Sequence, residues 1–320
     1  MSDKIKLLAV AGPTASGKTA LSVALAELLG GEVVSCDSMQ IYRGMDIGSA
    51  KPTAEETHGI PHHMIDIADP FADVFSCADY VSMASQCVKD IASRGRLPIV
   101  CGGTGLYLDN LLYSNEFSSA GADETIRAQL MELPCDELHR RLSEVDPESA
   151  AAIHMNNKKR VARALEVYLV TGKTKTEWDR QSRVRESMYD SLTIALDCRD
   201  RAVLYDRIDR RVDMMIEAGL VEEAAKFRNA SGTAAQAIGY KELWGYIDGV
   251  ESLESCVEKL KQATRNYAKR QLTWFRRNPD IHWIYIDECC DEASNAPNFK
   301  YIVNIAFKLL KETEFCDIIN

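Results

Sequence analysis

The stretch Gly12-Pro13-Thr14-Ala15-Ser16-Gly17-Lys18-Thr19 limits what this chain can fold into more than any other. It fits the phosphate-loop pattern, in which a glycine is followed by four residues and then by Gly-Lys-Ser/Thr. The apolar run Lys6–Ala11 before it reads as a buried strand. The run Lys18–Leu29 after it puts Leu21, Ala24, Leu25 and Leu28 on one helical face. Between a strand and a helix, backbone N–H groups converge on phosphate oxygens, and the helix N-terminus adds partial positive charge. Lys18 then reaches the terminal phosphate, and Thr19 is placed to ligate Mg²⁺ directly or through water. A nucleoside triphosphate is the default ligand. However, no clear Walker B strand ending in Asp is found. Glu32–Val34 leading to Asp37 comes nearest, and Ser35-Cys36 interrupts it. ATP hydrolysis is weakened by this, and a diphosphate ester stays open.

Glu32–Ser35 and Leu97–Cys101 repeat the strand signal, with helical spacing from Tyr80 to Ala92 between them. This alternation implies an α/β core, a parallel sheet flanked by helices. The texture changes after Ser114. Ser118–Asp123 reads as a linker, Glu124–Met188 reads as helical throughout, and strand character returns at Ser191–Ala195 and His282–Ile286. The expected organisation is a discontinuous phosphate-loop core, 1–116 and 192–320, carrying an all-helical insertion domain at 117–191. Leu253–Arg277 reads as one long helix, and the tail beyond Asp291 carries no readable chemistry.

Among 320 residues, 46% are apolar, enough for a packed core. No run approaches the roughly 20 apolar residues of a membrane span, and the N-terminal run reads as a first strand and not a leader. Ten cysteines without a framework, Cys289 and Cys290 being adjacent, suit reduced thiols in a cytoplasmic protein. After Arg277 the cysteines and His282 fit no zinc spacing. The net charge of −10 argues against a nucleic-acid partner. Its distribution argues otherwise: Lys259, Lys261, Arg265, Lys269, Arg270, Arg276 and Arg277 fall in one stretch with no acidic residue. A local basic surface on an acidic body can hold a polyanion.

In parallel α/β sheets, ligands sit at the carboxyl ends of the strands. Asp37 follows the second strand and therefore points into the phosphate-loop crevice. It can accept a proton or bind Mg²⁺ through water, the alternative being a helix N-cap. Thr104, in Gly102-Gly103-Thr104-Gly105, faces the same crevice and is suited to holding a leaving phosphate. His62 and His63 are adjacent, so they cannot share a face, and they read as loop or substrate-contact residues. Positions 204, 208, 211 and 215 share a helical face and are Leu, Ile, Arg and Met. Arg211 on that stripe needs an anion. A structural salt bridge is the alternative, and Arg207 is the other candidate.

Taken in order, GPTASGKT (12–19), DSMQIYRGMDIGSAKP (37–52), GIPHHMID (59–66), GGTGLY (102–107), RALEV (163–167), AIGYKEL (237–243) and AKRQLTWFR (268–276) resemble the tRNA dimethylallyltransferases, or tRNA isopentenyltransferases. The resemblance spans nearly the whole chain. Ser49 departs from the family's usual Thr and keeps the hydroxyl. The resemblance implies transfer of a dimethylallyl group from dimethylallyl diphosphate to N6 of the adenine immediately 3′ of the anticodon, with Mg²⁺ and without ATP. It implies Asp37 as general base, and Lys18, Thr19, Thr104 and Arg211 around the diphosphate. Recognition of an unstacked loop base uses stacking and edge hydrogen bonds. Ser38, Met39, Gln40, Gln236, Ala237, Ile238, Gly239, Tyr240 and Lys241 fall on the base-reading side. Lys159, Arg160 and Arg163, with Val161 and Ala162 between them, and Lys269 and Arg270 are the expected grip on the anticodon stem-loop, with Arg127 a further member. A cytoplasmic monomer is expected. The rivals are an isopentenyltransferase acting on free AMP, ADP or ATP, a phosphate-loop small-molecule kinase, and an RNA-binding protein without activity. The free-nucleotide enzyme has less use for a helical insertion and a basic helix. Intact Lys18, Thr19 and Asp37 oppose the non-enzyme.

Overall fold

Continuous apolar runs become strands covered on both faces. In the computed structural model these are β1 (Lys6–Ala11), β2 (Gly31–Ser35), β4 (Leu97–Gly102) and β5 (Asp190–Asp197), joined by β3 (His62–His63) and β6 (His282–Tyr285). The structure describes residues 4–72, 75–113, 123–182, 187–289, 298–313 and 315. Every pairing is parallel, and the strand order is β3-β2-β4-β1-β5-β6. Central β1 is buried beyond Lys6. Its C-terminal end lies level with that of β4, through Ala11↔Gly102, and β5 runs two residues further past Ala11↔Ala195. The loops leaving these strands thus share one edge of the sheet.

The helices of this unit are α1 (Lys18–Leu29), α2 (Cys77–Ser93), α3 (Gly105–Tyr113), α9 (Arg201–Glu217), α10 (Leu220–Lys226), α11 (Trp244–Ile247), α12 (Leu253–Phe275) and α13 (Phe299–Glu312). The start of α2 is set by a reciprocal cap between Ser76 and Asp79. Tyr80, one turn on, donates its hydroxyl to Ser35 O and seats that helix on β2. Helix α12 stops at Phe275, two residues short of the expected end, a difference of the size seen at fraying termini. Helix α13 was not expected. Its Ile302, Ala306 and Leu310, spaced by four, join the core cluster with Leu8, Leu25 and Ile284.

Two compact units result, Met1–Leu112 with Tyr189–Asn320, and Tyr113–Met188. The second unit ends before the expected residue 191 because Asp190 already pairs with β1, through Lys6↔Asp190. Within it, α4 (Glu124–Glu132), α5 (Cys135–Val145), α6 (Pro147–Ala152) and α7 (Lys158–Thr171) pack around Leu138, Leu142, Val161 and Leu165, and α8 (Lys175–Ser182) lies against α6 and α7. Asp146 organises one corner. It caps α6 through Ser149 N–H and accepts from the Thr176 hydroxyl at 2.5 Å.

Candidate active site

Tight curvature is what lets a phosphate loop aim its amides inward. Gly12 (φ 136°), Ala15 (φ 62°) and Gly17 (φ 93°) take the left-handed region. A Cβ on Gly12 would meet Leu196 O at 2.5 Å, so that position has no room for a side chain. Lys18 Nζ donates to Pro13 O at 2.6 Å. Burial holds its pKa down to about 8; the Arg211 charge adds to that, while Cys101 and Asp37 oppose it. An ammonium so placed gains by meeting an anion.

Neither strand flanking β1 supplies a carboxylate to the loop. β4 ends in Cys101-Gly102. β5 ends in Asp197, which is fully buried and spent on Arg201 at 2.7 Å and Arg276 at 3.0 Å. The free carboxylate comes from the loop after β2. Asp37 Oδ1 accepts from the N–H groups of Met39 (2.8 Å) and Gln40 (3.4 Å), and Oδ2 has no hydrogen-bond partner among the described residues. Thr104 ties this loop to the next. Its Oγ1 accepts from Ser38 N–H at 3.0 Å, and its own N–H donates to Cys36 O. A Cβ on Gly102 would meet Cys36 O at 2.0 Å, so the two loops interlock.

One cavity of about 410 Å³ gathers these parts, within the usual range for small-molecule sites. Thr14, Lys18 and Thr19 line it, as do Asp37–Gln40, Gly48–Ala50 and Arg211; Gln236–Gly239, Lys241 and Arg270 complete the far wall. Arg211 makes no hydrogen bond or ion pair among the described residues. Burial lowers its pKa, against the pull of Asp37 and Glu56. Arg207 is engaged elsewhere: its Nε donates to Ala15 O at 2.9 Å and braces the phosphate loop. Of the two arginines, Arg211 therefore faces the cavity.

Some expected contacts are corrected. The Gln40 amide is already used, accepting from Ser35 Oγ at 2.8 Å and donating to Ala50 O at 3.1 Å. Through these bonds it straps the loop while lining the cavity. Tyr240 is buried and donates its hydroxyl to Glu223 at 2.7 Å, so neither ring nor hydroxyl is free. Val161 and Ala162 are buried in the helical unit's own core. In the same unit Arg127 and Arg163 pair with Glu166, itself fully buried, while Lys159 and Arg160 are exposed with no ion pair among the described residues.

The basic stretch is partly neutralised by carboxylates outside it, three of them remote in sequence. Lys259 pairs with Glu251, Lys261 with Asp213, Arg265 with Asp209 and Arg276 with Asp197. Lys269, Arg270 and Arg277 stay exposed without ion pairs among the described residues, lying over the rings of Tyr205, Tyr267 and Trp274. His62 and His63 form β3 and point apart. His63 meets Glu32, whose carboxyl is held down to about 2 mainly by Arg94. His62 lines the cavity with a buried Nε2 that has no hydrogen-bond partner among the described residues.

Gln271 was missed. From α12 its Oε1 accepts from Thr14 N–H at 2.9 Å and its Nε2 donates to Gly103 O at 3.0 Å, stapling the phosphate loop to the loop after β4. A polar residue on the buried face with Ala268, Leu272 and Phe275 was the available signal. Among the described residues no group of three or more His, Cys, Asp or Glu side chains is placed to hold a metal. The oxygens of Thr19 and Asp37 suit Mg²⁺ with water completing its shell.

A family model described as IPP transferase matches residues 40–278. The chain is similar to the tRNA dimethylallyltransferase of Geobacillus thermodenitrificans, 49% identical over 286 residues, 87% of this chain and 90% of that protein. It is 50% identical over 288 residues to that of Halalkalibacterium halodurans, 88% of this chain and 91% of that protein. Among solved structures it is similar to the full-length tRNA isopentenylpyrophosphate transferase from Bacillus halodurans, with TM-score 0.69, 45% identity, and 98% and 99% of the two chains covered. It is also similar to a eukaryotic dimethylallyltransferase acting on tRNA, with TM-score 0.80, 28% identity, and 96% and 80% covered.

Proposed function

The chain belongs to the IPP transferase family, and on that premise we propose that it transfers a dimethylallyl group to N6 of the adenine immediately 3′ of the anticodon in tRNA. The donor is dimethylallyl diphosphate, and the products are N6-isopentenyladenosine and diphosphate. One observation carries the reading. Lys18, Arg211 and Asp37 converge on one cavity, Arg211 and Asp37 Oδ2 having no partner among the described residues, while neither strand flanking β1 gives that cavity a carboxylate.

An exocyclic adenine amine is a weak nucleophile because its lone pair is delocalised. As the N6–C bond forms and the allylic C–O bond breaks, the bonding pair leaves on the diphosphate and N6 gives up a proton. Asp37 Oδ2 takes that proton, a contribution of about 10²–10⁴-fold. The phosphate-loop amides, Lys18 and Arg211 meet the charge on the leaving oxygens. Thr19, and Asp37 through water, would hold Mg²⁺, which when bound would supply further positive charge there. Thr104 acts by fixing Ser38 and with it the Asp37 loop.

The target base has to leave the stack before its edge can be reached. Met39, Gln236, Ala237, Ile238, Gly239 and Lys241 form the wall against which it would lie. Lys159, Arg160, Lys269 and Arg270 are the free cations assigned to the anticodon stem-loop. With four such phosphate contacts, log affinity is expected to fall against log salt with a slope of about −3. Filter binding between 50 and 300 mM salt, as an order-of-magnitude range, checks this, and a flat response removes these cations from the interface. A cytoplasmic monomer belongs to the same reading. It is in keeping with eight described cysteines that are all free, and among the described residues no helix is long and apolar enough to cross a membrane.

The deciding assay offers labelled dimethylallyl diphosphate and Mg²⁺ with either unmodified tRNA or AMP. Label is expected in tRNA. Label in AMP alone would point to the free-nucleotide enzyme, and phosphate transfer from ATP would point to a kinase.

A further inference from the structure

Glu223 on α10 is buried, 7% exposed, and no cation pairs with it among the described residues. Its Oε2 accepts from the N–H groups of Asp46 (3.0 Å) and Ile47 (2.9 Å). Its Oε1 accepts from Gly48 N–H (2.9 Å) and from the Tyr240 hydroxyl (2.7 Å). Four donors converge on two oxygens that donate nothing, which is the arrangement an ionised carboxylate satisfies and a neutral amide cannot. Burying such a group away from any cation is costly unless its hydrogen bonds are complete.

The two segments that Glu223 joins are both walls of the cavity. Gly48–Ala50 belongs to the loop that begins at Asp37, and Gly239–Lys241 belongs to the segment before α11. They touch where a Cβ on Gly48 would lie 2.6 Å from Tyr240 Cε2. The phosphate loop is held separately, by Arg207 and Gln271. We infer that Glu223 is a positioning residue for the acceptor base, holding the two base-side walls at a fixed separation while leaving the diphosphate seat untouched. This rests on the reading that the cavity receives an adenine of tRNA.

Glu223→Gln puts an NH₂ group against N–H donors and forces the walls apart. The expected result is a fall in kcat/KM for tRNA of about 10- to 100-fold, the scale of a reactant misplaced by about 1 Å. The Kd for inorganic diphosphate is expected to stay at the wild-type value. Gly48→Ala keeps the carboxylate and pushes on the same contact from the other side, so it is expected to show the same split; it also serves if Glu223→Gln fails to fold. Tyr240→Phe, which leaves the three backbone bonds in place, is expected to lose less than Glu223→Gln. Wild-type tRNA kinetics in the folded variants, or diphosphate affinity falling in step with transfer, would overturn the inference. If the wild type itself does not modify tRNA, the proposed function falls instead.

Discussion

Asp37→Ala is expected to lower the single-turnover rate by about 10²–10⁴-fold, while tRNA affinity stays within about twofold of wild type. The argument starts from the division of labour within one carboxylate. Oδ1 is occupied by the Met39 and Gln40 amides, and Oδ2 has no hydrogen-bond partner among the described residues in a side chain that lines the cavity. Asp37→Asn separates the two roles. Its side-chain oxygen can still accept from both amides and keep the loop folded, but nothing basic is left at the second position. Rapid-quench transfer and filter binding, run side by side, read both quantities. An Asn variant that keeps its rate would remove Asp37 as the base. A variant that loses tRNA binding in parallel would make it a binding residue.

Replacing Arg211 by methionine is expected to lower kcat/KM for dimethylallyl diphosphate by about 10²–10³-fold, the scale for losing one preorganised donor to a leaving oxyanion. The same change is expected to leave the melting temperature unchanged or higher. The half-buried guanidinium forms no hydrogen bond or ion pair among the described residues, so the folded protein bears its partial desolvation without a partner in return. Activity set against stability in this way is what a group kept for a ligand produces. Steady-state kinetics and a thermal melt of one preparation test both halves. A stability loss of the size that accompanies a broken ion pair would reassign Arg211 to the scaffold. Arg207 differs, because its removal frees Ala15 O and slackens the phosphate loop itself.

Legibility in the sequence followed the distance over which each signal acts. The phosphate loop, β1 and α1 are contiguous and periodic, so pattern alone recovers them. Arg211 stood out because one charge interrupts an apolar stripe. β3 could not be read, since two residues carry no period and its pairing with Val33 and Val34 is made across the fold. Glu223 and Gln271 were missed for a related reason. Each earns its place through backbone groups 175 and 257 positions away, for Gly48 and Thr14 respectively, and no local pattern marks such a partner. The basic stretch misled in the opposite direction. Its lack of acidic residues is a property of one dimension, and Asp197, Asp209 and Asp213 close on it in three.

That closure bears on how long the protein stays on an RNA. A cation already matched by a carboxylate of its own chain releases no counterion when a phosphate arrives, so it adds little to sequence-blind attraction. On the proposed function, and with four of the seven charges on this stretch spoken for, an RNA lacking a base to offer the cavity is expected to be held by few contacts and to depart soon. The same is expected of a finished tRNA once its adenine has swung back into the stack. On the proposed function, early release of this kind is the expected consequence of pairing charges internally, and it needs no moving part.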